Sequence, residues 1–349
     1  MSAYSHSTLN VGRGQPAIAV CDFNSDGNLD VIIANYSDNN IITFRGNGNG
    51  DLSELGRFAA GENPTSVAVS DINDDGNIDI AIANHETSYI TLLFGDGDGG
   101  FSKKPHSVLK TDLSPHPHLV VLEDLDGDKK VDLIVDSRTD NGLRFYKGQA
   151  NGRFESASKL IIAGGDPYRG FAINHINDDE LLDIVTPNQD SIGIATNTSS
   201  NNLTFNLKTL APYQSPFAVA LAEMDGDAQL DLIIASNGNS VTVIPGDGNG
   251  NFREQDKLEI KTAKGAKQIA VGDLNGDGYQ DALISNWTGE LYAVLGGETK
   301  IETTSFTLAD IPNPWGLALA DLNNDGKSDL IIADGNSTSA AVYISQDIR

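Results

Sequence analysis

Seven times in 349 residues the chain carries a nine-residue, aspartate-rich loop with oxygen-bearing side chains, in all but one copy, at positions 1, 3, 5 and 9. The copies read DFNSDGNLD from Asp22, DINDDGNID from Asp71, DLDGDKKVD from Asp124, HINDDELLD from His175, EMDGDAQLD from Glu223, DLNGDGYQD from Asp273 and DLNNDGKSD from Asp321. Alternate oxygens on a tightly curling loop converge on one point, and a hard divalent cation takes about six to eight oxygens at roughly 2.3–2.6 Å. Calcium is therefore the expected cofactor, about six or seven ions per chain. Magnesium, with its stricter octahedron and reluctance to shed water, fits less well.

The expected ligands follow loop by loop: Asp22, Asn24, Asp26 and Asp30; Asp71, Asn73, Asp75 and Asp79; Asp124, Asp126, Asp128 and Asp132; Glu223, Asp225, Asp227 and Asp231; Asp273, Asn275, Asp277 and Asp281; Asp321, Asn323, Asp325 and Asp329. Position 7 adds a backbone carbonyl, from Asn28, Asn77, Lys130, Gln229, Tyr279 and Lys327. Position 6 is usually glycine, which reaches a left-handed backbone without the steric cost other residues meet. Loops 3 and 5 place Lys129 and Ala228 there but carry four carboxylates each, so both are expected to bind. Loop 4 departs twice, with His175 at position 1 and Glu180 at position 6. Imidazole is a poor partner for a hard ion, and this loop is expected to be weak or empty. Turn chemistry alone explains one Asp/Asn/Gly loop, but it does not ask for aspartate at position 9, where a strand begins.

The elements that must position these loops are strands. Loop starts lie 49, 53, 51, 48, 50 and 48 residues apart, a period typical of four-stranded propeller blades. An EF-hand is excluded by the alternating flanks SVAVS and IAIAN, which are strand-like, and by the missing position-12 glutamate. In repeat 2 the strands are expected at Ser66–Ser70, Asp79–Asn84, Tyr89–Phe94 and Phe101–Leu109. The fold expected is all-β: one seven-bladed β-propeller over residues 1–349, made of four-stranded antiparallel blades. The blades fall roughly at 12–60, 61–111, 112–163, 164–212, 213–262, 263–309 and 310–349 plus 3–11. The last repeat ends after a third strand, Ala340–Ser345, so Tyr4–Val11 is expected to complete it and remove the free sheet edge.

Formal charge −26 argues against nucleic acid and anionic membranes as partners. Of the 49 acidic residues, 22 sit at loop positions 1, 3, 5 and 9, and six divalent ions would lift the formal charge to −14. Cys21, the single cysteine, reads as a buried core thiol, so disulfides play no part. No apolar run of about 18 residues suggests a spanning helix or membrane insertion. No leader is visible, and a removed signal peptide is the expected account. Loops of this kind suit the millimolar calcium outside cells, at the cell surface or in a periplasm.

The sequence pattern of apolar strand, D-x-[ND]-x-D-G-x-x-D, LIIAN-like strand and G-x-G-x-G-x-F turn resembles the FG-GAP or VCBS repeats of integrin α-subunit propellers and many secreted bacterial proteins, over the whole chain. The resemblance implies a seven-bladed propeller with calcium between the first and second strands of each blade. It does not fix function, because the family includes adhesion modules, lectins and polysaccharide lyases.

Residues six before position 1 and six after position 9 should share the rim opposite the calcium loops, where the repeats differ. Blades 2 to 4 bring His85, His118, Arg138, Tyr168 and Arg169 there, a cationic and titratable patch suited to an anionic sugar or carboxylate. Blades 5 to 7 add Phe217, Lys267, Trp287 and Trp315, aromatics able to stack on a sugar ring. The leading expectation is a secreted module binding carbohydrate or protein on that rim, with no catalytic residue assigned. A lyase on uronate-containing polysaccharide is the alternative, with Arg138 or Arg169 neutralising the carboxylate and His85, His118 or Tyr168 taking the proton. A structural or adhesive domain of a larger surface protein is the third. Gly326-Lys327-Ser328 belongs to loop 7, not to a phosphate loop.

Overall fold

Runs such as DVIIAN, DIAIAN and DLIIAS are apolar on both alternating faces, which suits a strand covered on both sides. In the computed structural model these runs form the second strands Asp30–Asn35, Asp79–Asn84 and Asp231–Ser236, each buried at every residue. The structure describes residues 5–14, 16–104, 106–111, 116–136, 142–156, 158–160, 162, 167, 170–199, 203–263, 265–298 and 300–345. Among them there is no α-helix, only a 3₁₀ turn at Glu254–Asp256, and no helix long and apolar enough to cross a membrane.

Seven antiparallel meanders make the ring. Blade 1 orders Ala17–Cys21, Asp30–Asn35, Asn40–Gly46 and Leu52–Ala59 from first strand to fourth. Blade 2 follows with Pro64–Ser70, Asp79–Asn84 and Tyr89–Gly95, but its fourth strand is split into Phe101–Ser102 and Val108–Lys110 rather than continuous. Blade 3 carries an extra hairpin, Gly148–Gln149 with Arg153–Phe154, before its fourth strand Ser158–Leu160.

The core lies between blades. Because side chains alternate along a strand, each second strand serves two neighbours. Val31 and Ile33 pack with Ile331 and Val342 of blade 7, while Ile32 and Ala34 pack with Ile80 and Ile82 of blade 2. Such clusters fill the junctions between neighbouring blades around the ring.

Closure is as expected from the sequence. Ser5–Asn10 pairs antiparallel with Ser339–Ile344, from Ser5 opposite Ile344 to Asn10 opposite Ser339. Leu9 and Val11 are buried in the cluster joining blades 7 and 1, and the Val11 N–H donates to the Thr338 carbonyl at 2.9 Å. The glycine-rich turns tie blades together on the loop side. Gly50 N–H donates to Leu322 O at 3.1 Å, Gly152 to Ile72 O at 3.0 Å, Gly250 to Ile176 O at 3.0 Å and Gly297 to Met224 O at 2.8 Å. Gly50 has φ +83, and a Cβ there would meet Ile344 Cδ1 at 2.3 Å.

Candidate functional site

Each acidic loop curls through the same hydrogen bonds. The position-5 carboxylate accepts the position-7 N–H in all seven copies, at 2.9–3.0 Å. The position-1 carboxylate accepts the N–H of position 6 in loops 1, 2, 3, 6 and 7, at 2.7–2.9 Å. Position 6 is left-handed in every loop, including at Lys129 (φ +68), Glu180 (φ +61) and Ala228 (φ +64). The backbone thus takes the glycine conformation even where the glycine is missing.

Position 9 is a clasp. All seven aspartates, from Asp30 to Asp329, are fully or almost fully buried. In every blade Oδ2 accepts the N–H of position 2, at 2.8–3.2 Å. Oδ1 accepts an N–H at or near the end of the third strand, at 2.7–3.0 Å. Loop and third strand are therefore pinned through one side chain. Burial pushes Asp30, Asp79, Asp132 and Asp281 up to about 6 and Asp231 to about 7, and nearby loop carboxylates add to the effect. Asp183 and Asp329 are shifted the same way.

The donor set fits a hard cation. Carboxylate oxygens of Asp124, Asp126 and Asp128, and of Glu223, Asp225 and Asp227, converge within 4.8 Å of one another. Positive charge is already drawn there by protein groups. The Lys147 ammonium contacts Asp126 and lies 2.8 Å from Asp128, while the Arg253 guanidinium lies 3.1 Å from Asp227. Loop 4 does not fit in the same way, because His175 Nδ1–H donates to the position-7 carbonyl of Leu181 at 3.0 Å. Its own imidazole thus occupies the backbone oxygen that an ion would need there. Cys21, beside loop 1, is only partly buried; burial first, then Asp30 and Asp22, pushes its thiol up to about 12.

On the opposite rim, four of the residues six before the loop fall at irregularities in strand pairing. Thr65, Phe217, Lys267 and Trp315 each fall where register shifts, between Pro64 and Ser66, Pro216 and Ala218, Ala266 and Gln268, and Pro314 and Gly316. A bulge re-aims its side chain. Thr65 accordingly donates to Pro117 O of blade 3 at 3.2 Å, and Lys267 Nζ donates to Asn313 Oδ1 at 2.7 Å and Pro314 O at 3.1 Å of blade 7. Lys267 is only 4% exposed, and its burial lowers the ammonium to about 8. It sits 5.1 and 5.0 Å from the ring centroids of Trp287 and Trp315, which meet edge to face at 5.0 Å.

Phe217 and Trp315 are buried at 3% and 7% exposure, leaving Trp287, at 47%, as the aromatic of this group open to solvent. A hollow of about 270 Å³ opens between the starts of the first strands, lined in part by Thr65, His85, His118, Lys267 and Trp315. His85 and His118 are brought together, Nε2 to Nε2 at 3.1 Å. His116, outside both expected rings, joins them through Nδ1 at 3.3 Å from His85 Nε2. Only the spacing His116-Pro117-His118 could have flagged it. Arg138, Tyr168 and Arg169 lie outside the described residues.

Fold and loops together define a seven-bladed β-propeller whose blades each carry an acidic nine-residue turn between first and second strands. A family model described as FG-GAP-like repeat matches residues 22–82, 71–135, 124–186 and 223–284, each match opening at the first residue of a loop. The chain belongs to that family. No curated protein sequence matches it. Among solved structures it is similar to BBS1N in complex with ARL6DN. The lead-soaked crystal has a TM-score of 0.65 at 11% identity, covering 98% of this chain and 95% of that one. The mercury-soaked crystal has a TM-score of 0.66 at 11% identity, covering 97% and 94%. At such identity the likeness establishes the fold.

Proposed function

We propose that this propeller is a calcium-stabilised binding module, working outside the cell, at its surface or in a periplasm, and that it takes a carbohydrate or protein on the rim opposite the acidic loops. The observation that carries the reading is the placement of Trp287. The other large apolar side chains exposed among the described residues, Leu55, Val108, Leu207 and Leu258, sit on fourth strands at the ring's outer edge. Trp287 stands on the rim against Lys267 and Trp315, which line the 270 Å³ hollow. A rigid, half-exposed indole backed by packed groups is what binding hot spots are built from, and it suits both a sugar face and a protein side chain.

Calcium belongs to the scaffold in this reading. Six loops offer oxygen donors on the far side of the ring, where an ion neutralises crowded carboxylates and adds its binding energy to folding. The similar propellers were crystallised in complex with ARL6DN, and a docked macromolecule is the use proposed for this ring also. The test is a glycan array and a panel of extracellular proteins probed at millimolar calcium, with Trp287→Ala beside the native chain. Binding that falls at least about tenfold in the variant is expected, since one hot-spot aromatic is worth more than about 1.4 kcal/mol. A folded protein that binds nothing, or a ligand indifferent to Trp287→Ala, overturns the reading.

A further inference from the structure

We propose that His85, His116 and His118 form a site for one borderline divalent ion of the Zn²⁺ class on this rim. This site is separate from the acidic loops and independent of which macromolecule the rim binds. His85 lies between the other two imidazoles. His85 Nε2 lies 3.1 Å from His118 Nε2 and 3.3 Å from His116 Nδ1. Tetrahedral zinc with bonds of about 2.0–2.1 Å sets its ligand nitrogens roughly 3.3–3.4 Å apart, so the two spacings about His85 are already close to those of a shared ion, and the His116 and His118 rings, with centroids 6.4 Å apart, would draw together around it.

The proton position on His85 also suits an ion, because Glu86 fixes which nitrogen keeps its lone pair. A neutral imidazole offers one N–H and one lone pair. His85 Nδ1 faces the Glu86 carboxylate at 2.9 Å, which only accepts, so that nitrogen carries the proton. Nε2 is then the lone pair, a single lone pair facing two other ring nitrogens. An ion can take that lone pair together with those of His116 and His118.

One outer contact is of the kind metal sites use, and a second carboxylate lies close by. Ligating histidines usually place a carboxylate or carbonyl behind the second nitrogen, which fixes the ring and raises its basicity. Glu86 stands behind His85, and Asp136, fully buried, lies 3.9 Å from Nδ1 of His118. Asp136 is itself held by the N–H groups of His118 at 3.0 Å, Leu119 at 2.6 Å and Gly170 at 3.0 Å. His116 is delivered by a backbone at φ +103, outside the ordinary range for a side-chain-bearing residue and directly before Pro117. Strain of that kind persists where the surroundings demand a particular placement. Nitrogen donors also separate this site from the loops, whose oxygens suit calcium. His85 and His118 both line the 270 Å³ hollow, so the fourth coordination position opens towards it and is available to water or to a ligand's carboxylate.

The experiment titrates the full chain with Co²⁺ and then Zn²⁺ under excess calcium, following the visible absorption that cobalt gains in a four-coordinate nitrogen site. One cobalt per chain, displaced by one zinc, is expected. His85→Ala and His118→Ala should each weaken binding at least about 100-fold. Glu86→Gln, behind the first ligand, should weaken it about 10–100-fold. His175→Ala, in loop 4, should leave it unchanged. Melting curves establish that each variant is folded, and His116→Ala, at the surface end of the cluster, gives the same reading should a buried substitution unfold the blade. A native chain with no calcium-resistant cobalt site, or histidine variants that bind as tightly as the native chain, overturns the proposal. Either result leaves the Trp287 experiment untouched.

Discussion

Asp183 separates the two expected jobs of the position-9 aspartate, because blade 4 keeps the clasp while His175 stands at position 1 of its loop and bonds the position-7 carbonyl. The carboxylate is fully buried and accepts the N–H of Ile176 at 3.1 Å and of Asn197 at 2.7 Å. Asp183→Ala strands both donors inside the protein at about 1–3 kcal/mol each, or about 2–6 kcal/mol together. With an unfolding entropy of about 2.1 cal/mol/K per residue, roughly 0.7 kcal/mol/K for this chain, the melting temperature should fall by about 3–8 °C. Calorimetry in excess calcium and after stripping divalent ions provides the comparison. The loss at Asp183 should be the same in both. Asp281→Ala removes two equivalent bonds, from Leu274 and Gly296 at 2.8 Å each, and an expected ion ligand as well, so its loss should be larger with calcium present. A shift below about 1 °C for Asp183→Ala, the size of an ordinary surface substitution, would refute the clasp. So would a calcium-dependent loss matching that at Asp281.

Three further outcomes follow from the same geometry. If six loops hold calcium at dissociation constants near 0.1–1 mM, ten-millimolar calcium contributes about 1.4–2.7 kcal/mol per site, and stripping it should lower the melting temperature by more than about 10 °C. In the stripped protein, Asp30, Asp79, Asp132 and Asp281 at about 6 and Asp231 at about 7 bind more protons folded than unfolded between about pH 4 and 7. These groups then make stability fall as pH rises through that window, so calcium-free melting temperatures should be higher at pH 5 than at pH 7.5; the reverse order would contradict the raised values. Removing residues 1–11 takes Leu9 and Val11 out of the junction between blades 7 and 1 and bares the edge of Ser339–Ile344. The truncated chain should melt lower and self-associate on sizing columns, since an unpaired edge recruits another strand.

Most of the ring was legible because its instructions repeat: loop spacing gave the blade count, and the surplus N-terminal strand gave the closure. The aspartate at position 9 was legible as an expected oxygen ligand but not as a clasp, because its two backbone partners lie in segments joined to it only by folding. The rim was less readable. Counting six residues back from each loop assumes regular pairing, and the register shifts at Phe217, Lys267 and Trp315 break it. Phe217 is buried, and Lys267 is turned into blade 7 instead of towards a ligand. His116 escaped for the complementary reason, since a left-handed backbone bends it into a cluster that no strand periodicity indicates.

The strand that closes blade 7 also makes the chain a loop in all but covalent connection. Ser5 lies directly opposite Ile344, and partners across an antiparallel pair are only about 4.5–5.5 Å apart. A short linker between the two ends would thus span neighbouring strands without disturbing any blade. New ends cut between the third and fourth strands of another blade would reproduce the same closure there. Such circular permutants allow each of the seven closures in turn to be the last one made, so the contribution of each to holding the ring shut can be measured one by one.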